Sequence, residues 1–151
     1  MGKCNNHKKC LTNLEEKIAK TCNERGLKFT DLRREVFTII SKNHGMIKAY
    51  DILAKMREKN SLTEPPTVYR ALDFLIENNF IHKINSLNSY VTCYHLVDDG
   101  FCFFLICSKC GIVEENLDSR FSDLIISAVK KHKFLLQKSS LEIEGTCKNC
   151  S

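Results

Sequence analysis

The sequence predicts an α+β protein in two parts, and three observations carry that reading. Through the first half, apolar residues recur at three- and four-residue steps, the period of helices packed on a core. Near residue 80 the period shortens to two, as strands require. The last third carries Cys107-Ser108-Lys109-Cys110 and Cys147-Lys148-Asn149-Cys150, separated by the 36 residues 111–146.

The elements follow in order. Leu11, Leu14, Ile18 and Cys22 mark a first helix that Gly26 ends. Thr30 offers an N-cap to a second, with Leu32, Val36, Ile39 and Ile40 inward, ending near His44-Gly45. A third runs from Ala49 to Asn60 on Ile52, Leu53 and Met56. Pro65-Pro66-Thr67 starts a fourth, whose apolar set is Val68, Ala71, Leu72, Phe74 and Leu75, with Thr67 contributing to its cap. Phe80–Ile84 and Ser89–Cys93 flank the polar turn Asn85–Asn88 as a β-hairpin. Helices followed by a hairpin make a winged helix-turn-helix over residues 1–93. Residues 94–100, ending in Asp98-Asp99-Gly100, read as a hinge. Residues 101–151 then hold a strand at Phe101–Ile106, a short strand after Cys110, a helix at Ser119–His132 with Phe121, Leu124, Ile125 and Val129 inward, and a strand from Phe134 to Ile143.

Each cysteine pair brings two thiolates to one turn, and two turns complete the tetrahedral sulfur shell that zinc prefers. Cys107, Cys110, Cys147 and Cys150 are therefore expected to hold a structural Zn2+ tying the start of the second domain to its end. Disulfides are the competing reading. Nine cysteines is an odd number and Met1-Gly2-Lys3 leads into a polar stretch without an apolar signal segment, so a reducing cytoplasm is expected. No run of 18 apolar residues exists, which excludes a helical membrane span.

Charge is divided unevenly. Residues 1–85 hold 16 Lys+Arg against 10 Asp+Glu, whereas 86–151 hold 7 against 8. A basic half suits a polyanion. In a helix-turn-helix the second helix enters the major groove with its first turns on base edges. Here Thr67 can bond a phosphate, Tyr69 can touch a phosphate or a thymine methyl, and Arg70 can fork onto the two acceptors of a guanine. Tyr50 and Lys83 are expected at the backbone of double-stranded DNA.

Five strings in this order, Ala49-Tyr50-Asp51-Ile52-Leu53, Pro65–Leu75, Phe80-Ile81-His82-Lys83, Asn88-Ser89-Tyr90 and Cys107-x2-Cys110-Gly111, resemble the ferric uptake regulator (Fur) family over roughly residues 11–150. The resemblance implies a homodimeric repressor, with a C-terminal α/β dimerisation domain and a regulatory metal site between the domains. In zinc-sensing members His82, Cys93 and Glu115 match sensory ligands, and the soft thiolate of Cys93 favours zinc over iron or manganese. The fourth ligand is open. A histidine used by such proteins is Gly100 here, the wider family points to Cys102, and His95 could share a strand face with Cys93.

Other groups carry less. Cys4-x2-His7-x2-Cys10 could hold a further metal, Cys22 reads as core, and His44 and His132 as helix ends. The expected function is zinc-responsive repression of zinc-uptake genes. The alternatives are a relative sensing another metal or peroxide and, from another class, a thiol redox enzyme using a Cys-x2-Cys pair.

Overall fold

The structure, a computed structural model, describes residues 7–43, 45–96, 102–136 and 141–151. Cys4, His44, Gly100, Phe101 and residues 97–99 of the expected hinge lie outside them, as do the side chains of His7 and Cys10. The chain divides into two compact units, Gly2–Leu96 and Val97–Ser151 apart from Met1.

The N-terminal unit contains α1 (His7–Glu24), α2 (Asp31–Lys42), α3 (Ala49–Lys59), α4 (Pro65–Glu77), β1 (Ile81–Ile84) and β2 (Ser89–Thr92). Gly26, at φ +66°, closes α1, with the Leu27 N–H reaching back to the Cys22 carbonyl at 2.8 Å. Thr30 caps α2 by accepting the Arg33 N–H. The start of α4 departs from expectation, because no side chain caps it and Thr67 instead lies inside the first turn with its N–H on the Glu64 carbonyl. Pro65 and Pro66 remove two of the donors that a cap would satisfy. Ile18, Cys22, Val36, Phe37, Ile40, Ile52, Val68, Leu72 and Leu75 are all buried in one core.

The hairpin pairs antiparallel with Ile81 opposite Thr92 and Ile84 opposite Ser89. Ile47 adds a bridge to Tyr90, exchanging hydrogen bonds of 2.8 and 3.0 Å, so the chain entering α3 is stitched to the wing. Strand β2 ends at Thr92. The alternation that would set His95 beside Cys93 therefore does not extend to them.

The C-terminal unit is β3 (Cys102–Cys107), β4 (Val113–Leu117), α5 (Ser119–Lys131) and β5 (Leu141–Gly145). Strand β3 is central, antiparallel to β4 and parallel to β5. Asp118 caps α5 through the Arg120 N–H and holds the Arg120 guanidinium at 3.0 Å. Phe121 packs on Phe103 with ring centroids 4.9 Å apart and the planes tilted by 48°, which seats the helix on the sheet.

Two expectations fail here. Leu124 points outward at 68% exposure, while Phe121, Ile125 and Val129 are half-buried. Phe134–Leu136 are not in a strand, the described pairing of β5 with β3 starts at Leu141, and Phe134 and Leu135 stand 71% and 80% exposed.

Leu72 is fully buried at the centre of the N-terminal core. Leu72→Ala should therefore lower the unit's unfolding free energy by about 2–5 kcal/mol, read as a drop in the urea midpoint at unchanged slope.

Candidate metal centres and nucleic-acid interface

The four cysteines of the two pairs converge within the C-terminal unit. Strand β3 ends at Cys107, beside Gly145 of β5 in register, and this pairing carries the turn with Cys147 and Cys150 to the turn with Cys110. Gly111 supplies the left-handed φ of +72° that the first turn needs, and its N–H donates to the Cys107 carbonyl at 2.8 Å. The Ser108 N–H donates to the Gly145 carbonyl at 2.8 Å and the Lys109 ammonium to the Cys150 carbonyl at 2.8 Å.

All four Sγ atoms lie within 4.8 Å of one another, and Cys110 and Cys147 are 3.7 Å apart. A disulfide needs about 2.05 Å. A zinc tetrahedron with bonds of about 2.3 Å has sulfur–sulfur edges of about 3.8 Å. The donor set and spacing thus fit zinc.

The thiols are polarised before any ion is considered. Hydrogen bonds from the Cys147 and Cys110 backbone hold the Cys107 thiol at about 6, whereas the neighbouring Cys147 and Cys110 sulfurs push Cys150 up to about 12. The Cys147 N–H lies 3.3 Å from the Cys107 Sγ. One thiolate is favoured and the next is opposed by its charge, which a divalent cation reverses.

A second pair of soft donors lies in the N-terminal unit. His82, on β1, and Cys93, just after β2, present their ligand atoms within 4.8 Å of each other. Cys93 is buried, and its N–H donates to the Phe80 carbonyl at 3.1 Å. In the other unit Glu115 is half-buried on β4 opposite Phe104, while Cys102 pairs with Leu117, so Glu115 and Cys102 lie on one face of that sheet.

The expected reading residues occupy α3, α4 and the wing. Tyr50 at the start of α3 is 77% exposed, Tyr69 and Arg70 project from the first turns of α4, and Lys83 stands exposed on β1. Thr67 is half-buried. Beside them a cleft of about 300 Å³ is lined by Lys28, Thr30, Leu32, Arg33, Thr67, Arg70 and Ala71. Three cations and no carboxylate make it suited to a phosphate.

A family model described as the ferric uptake regulator family matches residues 24–144, spanning both units. The chain belongs to this family. It is 41% identical over 133 residues to the zinc uptake regulation protein of Escherichia coli (strain K12), covering 87% of this chain and 77% of that one. Among solved structures, a zinc uptake regulator complexed with zinc and DNA superposes with a TM-score of 0.86 at 37% identity, over 93% of this chain and 94% of the other. The holo form of XcZur gives 0.83 at 35% identity, over 93% and 97%.

Fur-family membership removes the thiol redox enzyme, since the family consists of transcription regulators. The sequence does not single out Lys28 and Arg33, because the loop before α2 and the first turn of α2 carry no helix-turn-helix signal and only folding brings them against α4. Asp118 was also missed, although its place directly before an amphipathic run is a cap signal.

Protons compete with zinc for the four sulfurs, and the raised Cys150 thiol is still protonated at neutral pH. Zinc uptake at pH 7 should therefore release protons, and apparent affinity should climb between pH 6 and 9. Calorimetry in two buffers of different ionisation enthalpy measures the release; equal heats and a flat affinity would contradict it.

Arg70 stands exposed in the first turns of α4. Arg70→Ala should erase discrimination worth about 1–3 kcal/mol at one base pair while zinc content stays normal. A gel-shift titration against single-base operator variants reads the result, and an unchanged preference removes Arg70 from the contacts.

Proposed function

We propose that this chain is a zinc-responsive transcriptional repressor, acting in the cytoplasm as a homodimer on operator DNA to control zinc-uptake genes. The observation that carries the reading is the thiol–imidazole pair of buried Cys93 and half-buried His82, set in the wing of a Fur-family DNA-binding unit. Soft sulfur with imidazole selects zinc over the harder metals. Similarity to a zinc uptake regulation protein and to a regulator solved with zinc and DNA supports the same choice.

In this reading residues 1–93 bind DNA, 94–100 act as hinge and 101–151 dimerise. Cys107, Cys110, Cys147 and Cys150 hold a structural zinc, and its binding energy is folding energy for the C-terminal domain. His82, Cys93 and Glu115 hold the regulatory zinc, with Cys102 as fourth ligand, supported by its shared sheet face with Glu115. When bound there, the ion supplies the differential affinity that favours one arrangement of the two DNA-binding units. Tyr50, Thr67, Tyr69 and Arg70 meet the duplex, and dimer symmetry places two such sets on successive major grooves. Leu124, Phe134 and Leu135 are too exposed for a lone chain and suit burial against a second copy.

The test is Cys93→Ala. The variant should keep its fold, its dimer and the four-sulfur zinc, and lose the regulatory zinc on dilution, with affinity reduced by more than about tenfold. DNA binding should fall to a weak, salt-sensitive, non-specific level. Metal analysis and DNA titration decide it, and two zinc ions per chain with a normal zinc response would sink the assignment.

A further inference from the structure

We propose that Phe80 is the positioning residue through which metal occupancy at His82 and Cys93 reaches the reading end of α4, an inference that rests on the functional reading above. Connections from both sides meet at this residue. Its N–H donates to the Leu75 carbonyl at 2.8 Å, and Asn79 before it takes a left-handed φ of 57°, which together form a Schellman closure of α4. Asparagine tolerates that conformation better than other side chains. The Phe80 carbonyl accepts the Cys93 N–H at 3.1 Å, and His82 follows two residues later. One residue thus holds the end of the reading helix by its N–H and the metal-binding end of the wing by its carbonyl.

The side chain extends the connection. The Phe80 ring is buried, 6.2 Å from the Phe74 ring on α4 and 6.5 Å edge-on from Phe29. The Arg33 guanidinium lies 3.5 Å over the Phe74 ring and donates to the Lys28 carbonyl. Arg33 and Lys28 line the same cationic cleft as Thr67 and Arg70. Drawing His82 and Cys93 together onto an ion moves the Phe80 carbonyl. Close-packed rings answer by repacking as a group rather than by yielding locally, and a helix of 13 residues transmits the tilt as a rod. The cleft and Arg70 then shift together.

The experiment measures coupling. DNA affinity is titrated with and without zinc on a duplex selected by the wild-type protein from a random pool, and zinc affinity with and without that duplex. Linkage requires both ratios to equal one coupling factor, on the order of 5- to 150-fold for an allosteric pair. Phe80→Leu should lower that factor in both directions by about two- to thirtyfold, while metal-free DNA affinity and DNA-free zinc affinity stay near wild type. Phe37→Leu, an equally buried phenylalanine of the same core, serves as control and should leave the factor intact. A Phe80→Leu protein with the wild-type factor overturns the proposal, and so does an equal loss in both variants, which would mean general loosening. Should Phe80→Leu not fold, the half-buried Phe29→Leu is read by the same criteria. A wild-type factor of one would refute the functional reading itself, an outcome distinct from failure of the relay.

Discussion

The arrangement of the C-terminal unit depends on the convergence of four sulfurs at the end of β3. Among the described residues of that unit only Phe104, Ile106, Cys107, Val113 and Ser122 are buried, too few to hold three strands and a helix against chain entropy. Small units of this kind need a staple, and a zinc thiolate cluster is one. Its position is as telling as its chemistry. Cys107 ends the central strand while Cys147 and Cys150 follow the edge strand, so closing the cluster also fixes the parallel register of β3 and β5.

The N-terminal unit is built differently. Its core is large and continuous, and its helices carry local stop and start signals, so it needs no crosslink to hold its shape. What it must do instead is present α4 without letting it drift. The Ile47–Tyr90 bridge holds the start of α3, the cation–π contact of Arg33 with Phe74 ties α2 to α4, and the left-handed turn at Asn79 closes the C-terminal end of α4. His82 and Cys93 stand at the open end of the hairpin, next to that turn.

Features with local causes could be read from the chain. Thr30, Gly26 and Pro65-Pro66 announce helix boundaries because caps, left-handed turns and missing donors act within one turn of helix. The cysteine spacings announce their geometry for the same reason. Features with distant causes could not. The Ile47 bridge needs Tyr90, 43 positions later in numbering, and no pattern links the two. Phe134-Leu135-Leu136 looks like a strand because apolar runs do, yet a strand also needs a hydrogen-bonding neighbour, and these three residues have no place in the described β3–β5 register. Leu124 has the helical spacing of a core residue, but periodicity identifies an apolar face without saying what covers it. The His82–Cys93 pair was suggested by family resemblance, and the geometric reason for their proximity is the hairpin register that brings the two strand ends together.

The parallel pairing of β3 with β5 has a consequence for the order in which the chain folds. Cys107 and Cys147 are 40 residues apart, and bringing such distant points together costs on the order of 3 kcal/mol of loop-closure entropy. The individual helices of the N-terminal unit and its β1–β2 hairpin close over far fewer residues, even though the Ile47–Tyr90 bridge spans 43, and local contacts form faster. A nascent or refolding chain would therefore form the local elements of its N-terminal unit before its second unit has closed. Availability of the ion for the four sulfurs would then govern how long that half-built species persists, making metal supply a condition of maturation as well as a signal to the finished protein.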